Sequence, residues 1–477
     1  MSLIKTVTKN ITSLVTIEVV NQISLVILAI LLPRFLGDVG FGQYSFIMSF
    51  TLLTSIFLDF GLRSLTIQEV SRDKSLTSEY FSNGIIIKTI LSLVTFSVVF
   101  ALANLGNYPD VIKFSLYIMT ISYILNSFSD VFRSIFYAYE TMEYGALTLT
   151  TSKIIITLLV IIFLFLGYGL IQVMLAFLLG NLFALIFNYK LFRDKIPRTK
   201  FLVSSKFSKY LIMGGLPFGL AIAFNTIFFN FDIVAITHYV GNAATGWYSL
   251  PVYVLTVLLT FFYSISAAIF PTFSNFFKSQ EDLLKEGYEK TYKFLFMVIT
   301  PLTLVLYILA SPIILYFFGN QFFNSILIFQ ILIWLLIPLT IARFIEMVLA
   351  AINKQKIVTY TLGIFAVMNI ILDIALIPSM GYFGAIIGTL VSQLLVFFMG
   401  LWFISRYLDL PAKFTLKMIL ITGILGVVSI SFKDMNHYIV SIIIIGSYLV
   451  LLKVFNCFKK DDLELFKKVV TTIKLKK

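Results

Sequence analysis

Basic side chains lie beside acidic ones inside or at the edges of long apolar runs of this 477-residue chain. Three acid–base pairs have the spacing of one helical turn: Asp59/Arg63, Asp130/Arg133 and Arg343/Glu346. Partners at this spacing lie side by side on a helix. Arginine binds phosphate through two parallel hydrogen bonds, and a carboxylate can hold it in place beforehand. The spacing fits either a ring of cations that admits a pyrophosphate or plain intrahelical pairs at the lipid interface.

Two lysines, Lys88 and Lys153, are predicted to lie just inside the third and fifth membrane spans, where they would join such a ring. The predicted binding cations are Arg63, Lys88, Arg133, Lys153 and Arg343. Basic groups at the inner mouth of a membrane protein favour an anionic cargo.

The first apolar run carries Glu18, Asn21 and Gln22 within about one turn. Ionisable groups in hydrocarbon are costly unless they face a cavity or a partner. Glu18 is expected either to face a cavity or to be a protonated group in a helix-packing hydrogen bond. Asn21 and Gln22 are candidate substrate contacts, as is Asn225 further along the chain.

Two acids in the later runs are candidate coupling or cavity groups, Asp232 and Asp373. Asp373 follows Asn369 by one turn, so this pair fits either a cation or proton site or a structural contact. Asp232 fits either a cavity or ion site or a helix cap. Asn230 and Asp232 are about 200° apart on a helix, and only a distorted helix would turn both to one narrow face.

The seventh run opens with glycines and a proline, at Gly214, Gly215, Pro217 and Gly219. Proline removes a backbone hydrogen bond, and glycine lets the backbone bend. A broken helix is predicted there, and these four residues are the candidate hinge.

The elements that carry these side chains are membrane helices. The chain is 59% hydrophobic and 12% charged, with a mean hydropathy of +0.99. A helix needs about 20 apolar residues to cross the hydrocarbon. An all-α protein with fourteen spans is predicted, near 11–32, 43–61, 83–105, 111–136, 147–167, 169–189, 211–236, 247–270, 291–317, 326–349, 357–378, 382–404, 416–432 and 438–456.

The basic residues are distributed unevenly between the two predicted sides. All but three of the 36 Lys and Arg residues fall on the side of the termini, the exceptions being Arg34, Lys113 and Lys433. Inner loops carry the positive charge of membrane proteins, so both termini are predicted to be cytoplasmic. The net charge of +13 then faces anionic lipid, and a nucleic-acid partner is excluded because no soluble basic domain is predicted.

A short string occurs twice, as Gly37-Asp-Val-Gly-Phe-Gly-Gln-Tyr-Ser45 and Gly241-Asn-Ala-Ala-Thr-Gly-Trp-Tyr-Ser249. The same offset aligns Asn21 with Asn225. Duplication is typical of transporters built from two similar halves. The predicted domains are two six-helix lobes (1–189 and 211–404), a basic cytoplasmic linker (190–210), two further helices (405–457) and an amphipathic tail (458–477).

Enzyme chemistry finds little support in this chain. It has one cysteine, Cys457, and two histidines, His238 and His437, so an intrachain disulfide is impossible and a zinc site is not expected. No glycine loop for phosphate and no nucleophile constellation occurs in the sequence. Neither catalysis, a metal nor a cofactor is expected.

Several short strings resemble the polysaccharide flippases, the O-antigen and repeat-unit transporters of the multidrug/oligosaccharidyl-lipid/polysaccharide (MOP) exporter superfamily. They are Pro33-Arg34-Phe-Leu-Gly37, Gly42-Gln-Tyr44-Ser45, Asn230-Phe-Asp232, Gly246-Trp-Tyr248-Ser249 and Ala268-Ile-Phe-Pro271. The resemblance implies two six-helix lobes around a central cavity, alternating access, and a cargo made of a lipid carrier, a pyrophosphate and a glycan. It also implies a multi-pass location in the cell membrane.

A lipid-linked oligosaccharide flippase is therefore the first hypothesis, and a cation-coupled multidrug antiporter of the same superfamily is the alternative. The expected partners are a lipid-linked glycan, membrane lipid and a coupling ion, H⁺ or Na⁺. The chain is expected to be a monomer.

Overall fold

The computed structural model describes residues 3–432 and 435–457; it leaves undescribed the side chains of residues 3–16, 18, 221, 265, 267, 268, 271, 278 and 279. Throughout the described residues the structure consists of helices joined by turns and short linkers, without a β-strand. In hydrocarbon only internal hydrogen bonds can satisfy the backbone, so apolar runs of this length fold as helices. The predicted amphipathic tail and the side chain of Glu18 lie outside the described residues.

The first half of the chain forms seven helices. They are α1 (Leu3–Asp59), α2 (Leu62–Arg72), α3 (Thr77–Leu105), α4 (Asp110–Ala138), α5 (Met142–Phe165), α6 (Leu170–Lys195) and α7 (Ser205–Tyr239). A short 3-10 helix, Lys74–Leu76, joins α2 to α3. Two predicted spans share α1, which is divided by a non-helical residue at Gly37 (φ 72°, ψ 179°).

The second half forms nine helices within the described residues. They are α8 (Asn242–Ser279), α9 (Glu281–Ile308), α10 (Ala310–Phe318), α11 (Ser325–Leu332), α12 (Leu336–Ala351), α13 (Gln355–Met380), α14 (Tyr382–Ile404), α15 (Ala412–Ser431) and α16 (His437–Val454). Two 3-10 helices, Asn320–Phe322 and Ile333–Leu335, lie next to α11.

Twelve stretches of the described residues are long and apolar enough to span a membrane, or thirteen when α7, which is bent, counts as one. The first, Val19–Arg72, is 54 residues long and contains most of the first predicted span and all of the second. At 1.5 Å per residue its helical segments add up to about 80 Å, well beyond a hydrocarbon core of about 30 Å, so it is long enough for two crossings. The protein is therefore a multi-pass helical membrane protein, while the count of fourteen and the cytoplasmic termini remain predictions.

The chain forms two compact units, Met1–Leu250 with Ala366–Ala385 (unit 1) and Pro251–Phe365 with Ile386–Lys477 (unit 2). In unit 1, α1 packs along α4, α5 and α7, and α6 packs on α4 and α5. In unit 2, α9 contacts α12, α15 and α16. The predicted lobe boundary at 190–210 falls inside unit 1, and the two-lobe division stays a prediction.

The repeated string forms a contact between its own two copies, within unit 1. A Cβ at Gly42 would lie 1.8 Å from the carbonyl oxygen of Asn242, and one at Gly246 would lie 2.0 Å from that of Asp38. The Trp247 indole also donates a hydrogen bond of 2.9 Å to Asp38. Only glycine permits such an approach of two backbones, and the duplicated Gly42 and Gly246 meet this requirement reciprocally.

The linker between α6 and α7 is shorter than predicted, because α6 runs to Lys195 and α7 starts at Ser205. Its backbone is held on the first turns of α3. Ser82 accepts a hydrogen bond from the Leu202 amide (3.0 Å), and Asn83 donates to the Leu202 carbonyl (3.0 Å). The linker is therefore bound along its backbone to the start of α3.

Candidate functional site

Lys88 of α3 lies at the centre of a polar cluster in unit 1 and is 2% exposed. Its ammonium group donates to the Asp59 carboxylate (2.9 Å), to the Ser127 hydroxyl (2.8 Å) and to the Leu58 carbonyl (3.3 Å). Three acceptors match the three donors of an ammonium group. Lys88 therefore joins the end of the second half of α1 to the middle of α4.

Arg133 of α4 forms the second part of this polar cluster and is also 2% exposed. We call the whole group, with Asp59, Arg63, Lys88, Asp130 and Arg133, the inner cluster. Its guanidinium donates twice to Asp130, at 3.1 and 2.9 Å, and once to the Asn126 side chain at 2.8 Å. Arg63 reaches the same Asp130 at 3.3 Å from α2. Asn126, Asp130 and Arg133 lie on one face of α4 over two turns, so the helix itself orients the group.

The predicted Asp59/Arg63 pair is wrong, because the helix is broken between the two residues. Phe60 and Gly61 both have positive φ, 42° and 78°, and separate α1 from α2. Asp59 therefore pairs with Lys88, and Arg63 with Asp130. The Asp130/Arg133 pair, predicted from its spacing, is present at 2.9 Å.

The glycines of α7 pack against this break. A Cβ at Gly219 would lie 2.6 Å from the Phe60 carbonyl carbon, and one at Gly215 2.7 Å from the Phe60 oxygen. The helix α7 itself bends by 50° between Leu220 and Ile222, just after Gly219. The glycines thus have a packing role, and a hinge motion at Gly214, Gly215, Pro217 and Gly219 stays a prediction.

A cavity of about 160 Å³ adjoins the cluster. Polar groups on its wall come from α1, α3, α4 and α7: Ser55, Asp59, Lys88, Tyr123, Asn126, Ser127, Asp130 and Thr226. The cluster as a whole has three cations, Arg63, Lys88 and Arg133, against two carboxylates. One positive charge is left in excess, which favours an anionic ligand.

The predicted ring of five cations is only partly assembled in unit 1. Arg343 lies in unit 2, where it pairs with Glu346 at 3.0 Å as its spacing predicted. Lys153 lies at the midpoint of α5, which starts at Met142, and Lys88 lies eleven residues after the start of α3. Their depth in the membrane stays a prediction.

The candidate coupling acids lie together in a buried part of unit 1. Asp232 is 6% exposed and accepts hydrogen bonds from the Tyr248 hydroxyl and from the Ile233 amide (2.8 Å). Asp373 is 0% exposed and near enough to Asp232 for the two carboxylates to repel each other if both were ionised. Among the described residues, neither oxygen of Asp373 and neither polar atom of Asn369 has a hydrogen-bond partner. Buried polar groups in this state are suited to receiving a cation or a proton.

The remaining candidate contacts are more exposed. Asn21 and Gln22 are half-buried on α1, and Asn225 is exposed on α7. Asn230, next to the Asp232 site in sequence, donates to the Thr226 carbonyl of its own helix at 2.8 Å.

Sequence reasoning missed Asn126, Ser127 and Tyr248. The spacing of Asn126, Asp130 and Arg133, at i, i+4 and i+7, was a signal that would have identified the first. No local pattern connects Ser127 with Lys88, or Tyr248 with Asp232, because those contacts depend on how separate helices pack.

Comparison with known proteins gives two family matches. The polysaccharide biosynthesis protein family matches residues 7–277, and the lipid II flippase MurJ family matches residues 230–458. The uncharacterized membrane protein MJ1068 of Methanocaldococcus jannaschii is 24% identical over 462 residues, covering 88% of this chain and 90% of its own. The lipid II flippase MurJ of Bacillus subtilis is 26% identical over 167 residues, 33% of this chain and 31% of that protein.

Solved structures show the same fold. A lipid II flippase MurJ in an inward closed conformation has a TM-score of 0.75 at 18% identity, covering 94% of this chain and 98% of that one. An inward-facing multidrug resistance MATE family transporter of the MOP superfamily has a TM-score of 0.63 at 15% identity, covering 82% and 95%. With a family match over more than half of its length, this chain belongs to the polysaccharide biosynthesis protein family, and it shares its fold with the MurJ and MATE structures.

Proposed function

We propose that the protein is a flippase that moves a lipid-linked oligosaccharide from the inner to the outer leaflet by alternating access, for the export of a cell-surface glycan. The carrier would be of the polyprenyl pyrophosphate type. Membership of the polysaccharide biosynthesis family supports the glycan, and similarity to MurJ supports the lipid carrier. The observation that carries the proposal is the inner cluster, with its excess positive charge beside a polar cavity.

A pyrophosphate brings about two negative charges into a low-dielectric site and needs compensating cations. Asp59 and Asp130 hold Lys88, Arg63 and Arg133 before the cargo arrives. An arriving phosphate would compete with these carboxylates for the same donors. Arg63 is the accessible member, with 39% of its side chain exposed, and is placed to make the first contact.

The test is transport in proteoliposomes that contain the full chain and a polyprenyl pyrophosphate oligosaccharide. Arrival of the glycan at the far leaflet is measured by its accessibility to an added glycosidase. The variant Lys88→Gln/Arg133→Gln is expected to lose transport at least tenfold. Arg72→Gln is the matched control, because it removes a cation from an exposed ion pair with Glu69. Full transport by the double variant would remove the cluster from the mechanism.

A multidrug antiporter remains the second candidate, and the cavity wall is the feature that favours it. Of the charged side chains on that wall, two are carboxylates, Asp59 and Asp130, and one is the paired Lys88. Such a wall also suits a cationic drug. Ion-driven uptake of ethidium into the same proteoliposomes, without movement of the glycolipid, would replace the flippase proposal by this one.

We further propose that Asp232 and Asp373 take the coupling H⁺ or Na⁺. A charge that neutralises their mutual repulsion would stabilise the buried pair. Asp373→Asn is expected to make transport independent of an imposed ion gradient, while Asp110→Asn, an exposed acid in the first turn of α4, leaves the dependence intact. Transport of Asp373→Asn that still follows the gradient would exclude this site.

A further inference from the structure

The linker between α6 and α7 lies extended along the start of α3. The Lys200 amide donates to the Ser78 hydroxyl at 3.1 Å, and the Ser204 amide donates to the side-chain oxygen of Asn83 at 3.0 Å. Asn83 is 0% exposed and also accepts a hydrogen bond of 2.9 Å from the Ser208 hydroxyl at the start of α7. The backbone of the linker is thus bound to α3, and its side chains are left to meet the surroundings.

Three consecutive apolar side chains of this linker are exposed. Phe201 is 66% exposed, Leu202 45% and Val203 50%. The Leu202 carbonyl accepts a hydrogen bond from Asn83, the first residue of the third predicted span, so the three side chains lie at the predicted boundary between water and hydrocarbon. Apolar side chains at that level are stabilised by entering the acyl region of the membrane.

The segment 190–210 around these side chains is strongly basic. It carries seven bases against one acid: Lys190, Arg193, Lys195, Arg198, Lys200, Lys206 and Lys209 against Asp194. All seven bases are exposed. Asp194 lies 3.6 Å from Arg193, and none of the other six bases has an ion pair among the described residues. Bases next to exposed apolar side chains fit an anionic lipid, whereas an acidic protein would leave the apolar side chains unexplained.

A cavity of about 600 Å³ opens between the linker, α3 and the first two turns of α7. Its apolar wall consists of Phe201, Leu202, Val203, Phe207 and Tyr210, and its polar wall consists of Glu79, Asn83, Ser204 and Lys206. Lys206 and Glu79 are the charged residues of this wall. Lys209 is next to Lys206 on the surface of α7, because the two are three residues apart. The volume is in the range of sites for small ligands.

We propose that this cavity binds an anionic phospholipid of the leaflet that the linker faces, as a site distinct from the cavity beside the inner cluster. The phosphate would lie on Lys206 and Lys209, away from Glu79, with the acyl chains along Phe201 and Tyr210. Glu79 offsets one positive charge, and the six bases without an ion pair leave an excess that favours an anionic headgroup. A lipid in this position contacts the linker and α7 together, so it stabilises the connection between α6 and α7.

Fluorescence quenching tests the site in the purified full chain, in detergent with a limiting amount of lipid. Phe201→Trp places a reporter on the apolar wall, and its signal is measured against that of the unsubstituted chain with its three tryptophans. Dibrominated phosphatidylglycerol is expected to quench this added signal at least threefold more than dibrominated phosphatidylcholine. Leu449→Trp, an exposed position on α16, is the control and is expected to be quenched equally by both lipids. Equal quenching at position 201 would leave the bases to an acidic protein partner and would overturn the proposal.

Two matched charge variants assign the position of the phosphate. Lys206→Gln/Lys209→Gln, in the Phe201→Trp chain, is expected to abolish the preference for phosphatidylglycerol. Lys190→Gln/Lys195→Gln removes the same charge from the end of α6, away from the cavity wall, and is expected to keep the preference. Equal losses in the two variants would mean that the basic segment attracts anionic lipid without a defined site, and the proposal would be wrong. All four lysines are exposed, so both variants are expected to fold, which thermal unfolding checks.

A lipid-linked cargo also carries phosphate and an apolar chain, and a competition experiment separates it from membrane lipid. Polyprenyl pyrophosphate is added to the Phe201→Trp chain with bound brominated phosphatidylglycerol. It is expected to relieve the quenching no better than unbrominated phosphatidylglycerol does. Relief at a tenfold lower concentration would assign the cavity to the cargo and overturn the proposal. These measurements do not use transport, so their outcome is independent of the proposed flippase function.

Discussion

Lys88 and Lys153 occupy equivalent places in their helices and have opposite environments. Each is eleven residues after the first residue of its helix, α3 or α5, and both lie in unit 1. Lys88 is buried with three acceptors, whereas Lys153 is exposed and has no partner among the described residues. The desolvation of a lysine in a membrane follows from its depth, but what compensates for it depends on the neighbouring helices.

Lys88 is paired because two other helices present acceptors at its height. The break at Phe60–Gly61 ends α1 at Asp59 and leaves the Leu58 carbonyl without a helical donor, and α4 supplies Ser127. Beside Lys153 the described residues of α1 and α6 supply no carboxylate. The first lysine therefore stabilises the packing of α1, α3 and α4 before any cargo arrives, whereas no described side chain gives the second lysine such a role.

The largest expected difference between the two lysines is in stability. Lys88→Met is expected to lower the free energy of unfolding by about 3 kcal/mol, the lower end for a buried ion pair, because it leaves the Asp59 carboxylate, which is 29% exposed, without its partner. Lys153→Met is expected to leave it unchanged or to raise it, because no partner among the described residues is lost. Thermal unfolding of the purified variants in detergent measures both. Similar losses in the two variants would show that Lys153 has a structural partner after all.

The backbone break that positions Asp59 is the next feature to test. Gly219→Ala is expected to cost about 1–3 kcal/mol, because its Cβ would lie within 2.6 Å of Phe60 and push the break away from Lys88. Gly423→Ala is the control, since nothing lies within 4 Å of a Cβ there. Thermal unfolding and glycolipid transport are measured for both. If Gly219→Ala changed neither stability nor transport, the geometry of the Phe60–Gly61 break would not depend on its packing against α7.

Neutralising both members of the Lys88–Asp59 pair separates packing from charge. Asp59→Asn/Lys88→Gln is expected to recover part of the stability lost in Lys88→Gln, with a coupling energy of about 0.5–3 kcal/mol. Transport is expected to stay low because the cation is still missing. If transport returns together with stability, the lysine has only a structural role, and the contrast with Lys153 would disappear.

The smallest effects are expected from cysteines that report topology, since they lie in loops or at helix ends. Residues 195, 280 and 355 are expected to react with an impermeant thiol reagent from the cytoplasmic side, and residues 40, 242 and 380 from outside. Residue 322 is also predicted to lie outside, but Phe322 is 0% exposed and is not a suitable labelling site. Residue 470, outside the described residues, should be cytoplasmic. The equal depth of Lys88 and Lys153 requires the first turns of α3 and α5 to be on the same side. Labelling of residue 195 from outside would reverse the predicted topology and place the inner cluster near the outer leaflet.

The amino-acid sequence by itself was sufficient for the helical membrane class, the family resemblance, the approximate spans and two of the three acid–base pairs. These depend on apolar runs of about 20 residues, on one-turn spacing and on repeated strings, which are local properties. It also identified the glycines at 42 and 246 as a repeat. It could not show that the two copies touch each other, since that contact joins residues far apart in the chain.

Only the tertiary structure decided how the charges are paired. A positive φ at two consecutive residues ended α1 at Asp59 and redirected its carboxylate from Arg63 to Lys88, while Arg63 turned to Asp130. The helices α3 and α5 start at Thr77 and Met142, so both lysines lie further along their helices than the apolar runs indicated. Polar first turns extend a membrane helix beyond its hydrophobic stretch, so hydropathy alone does not give the helix ends. Pairing across helices depends on rotation and height, which packing sets and local sequence patterns do not encode.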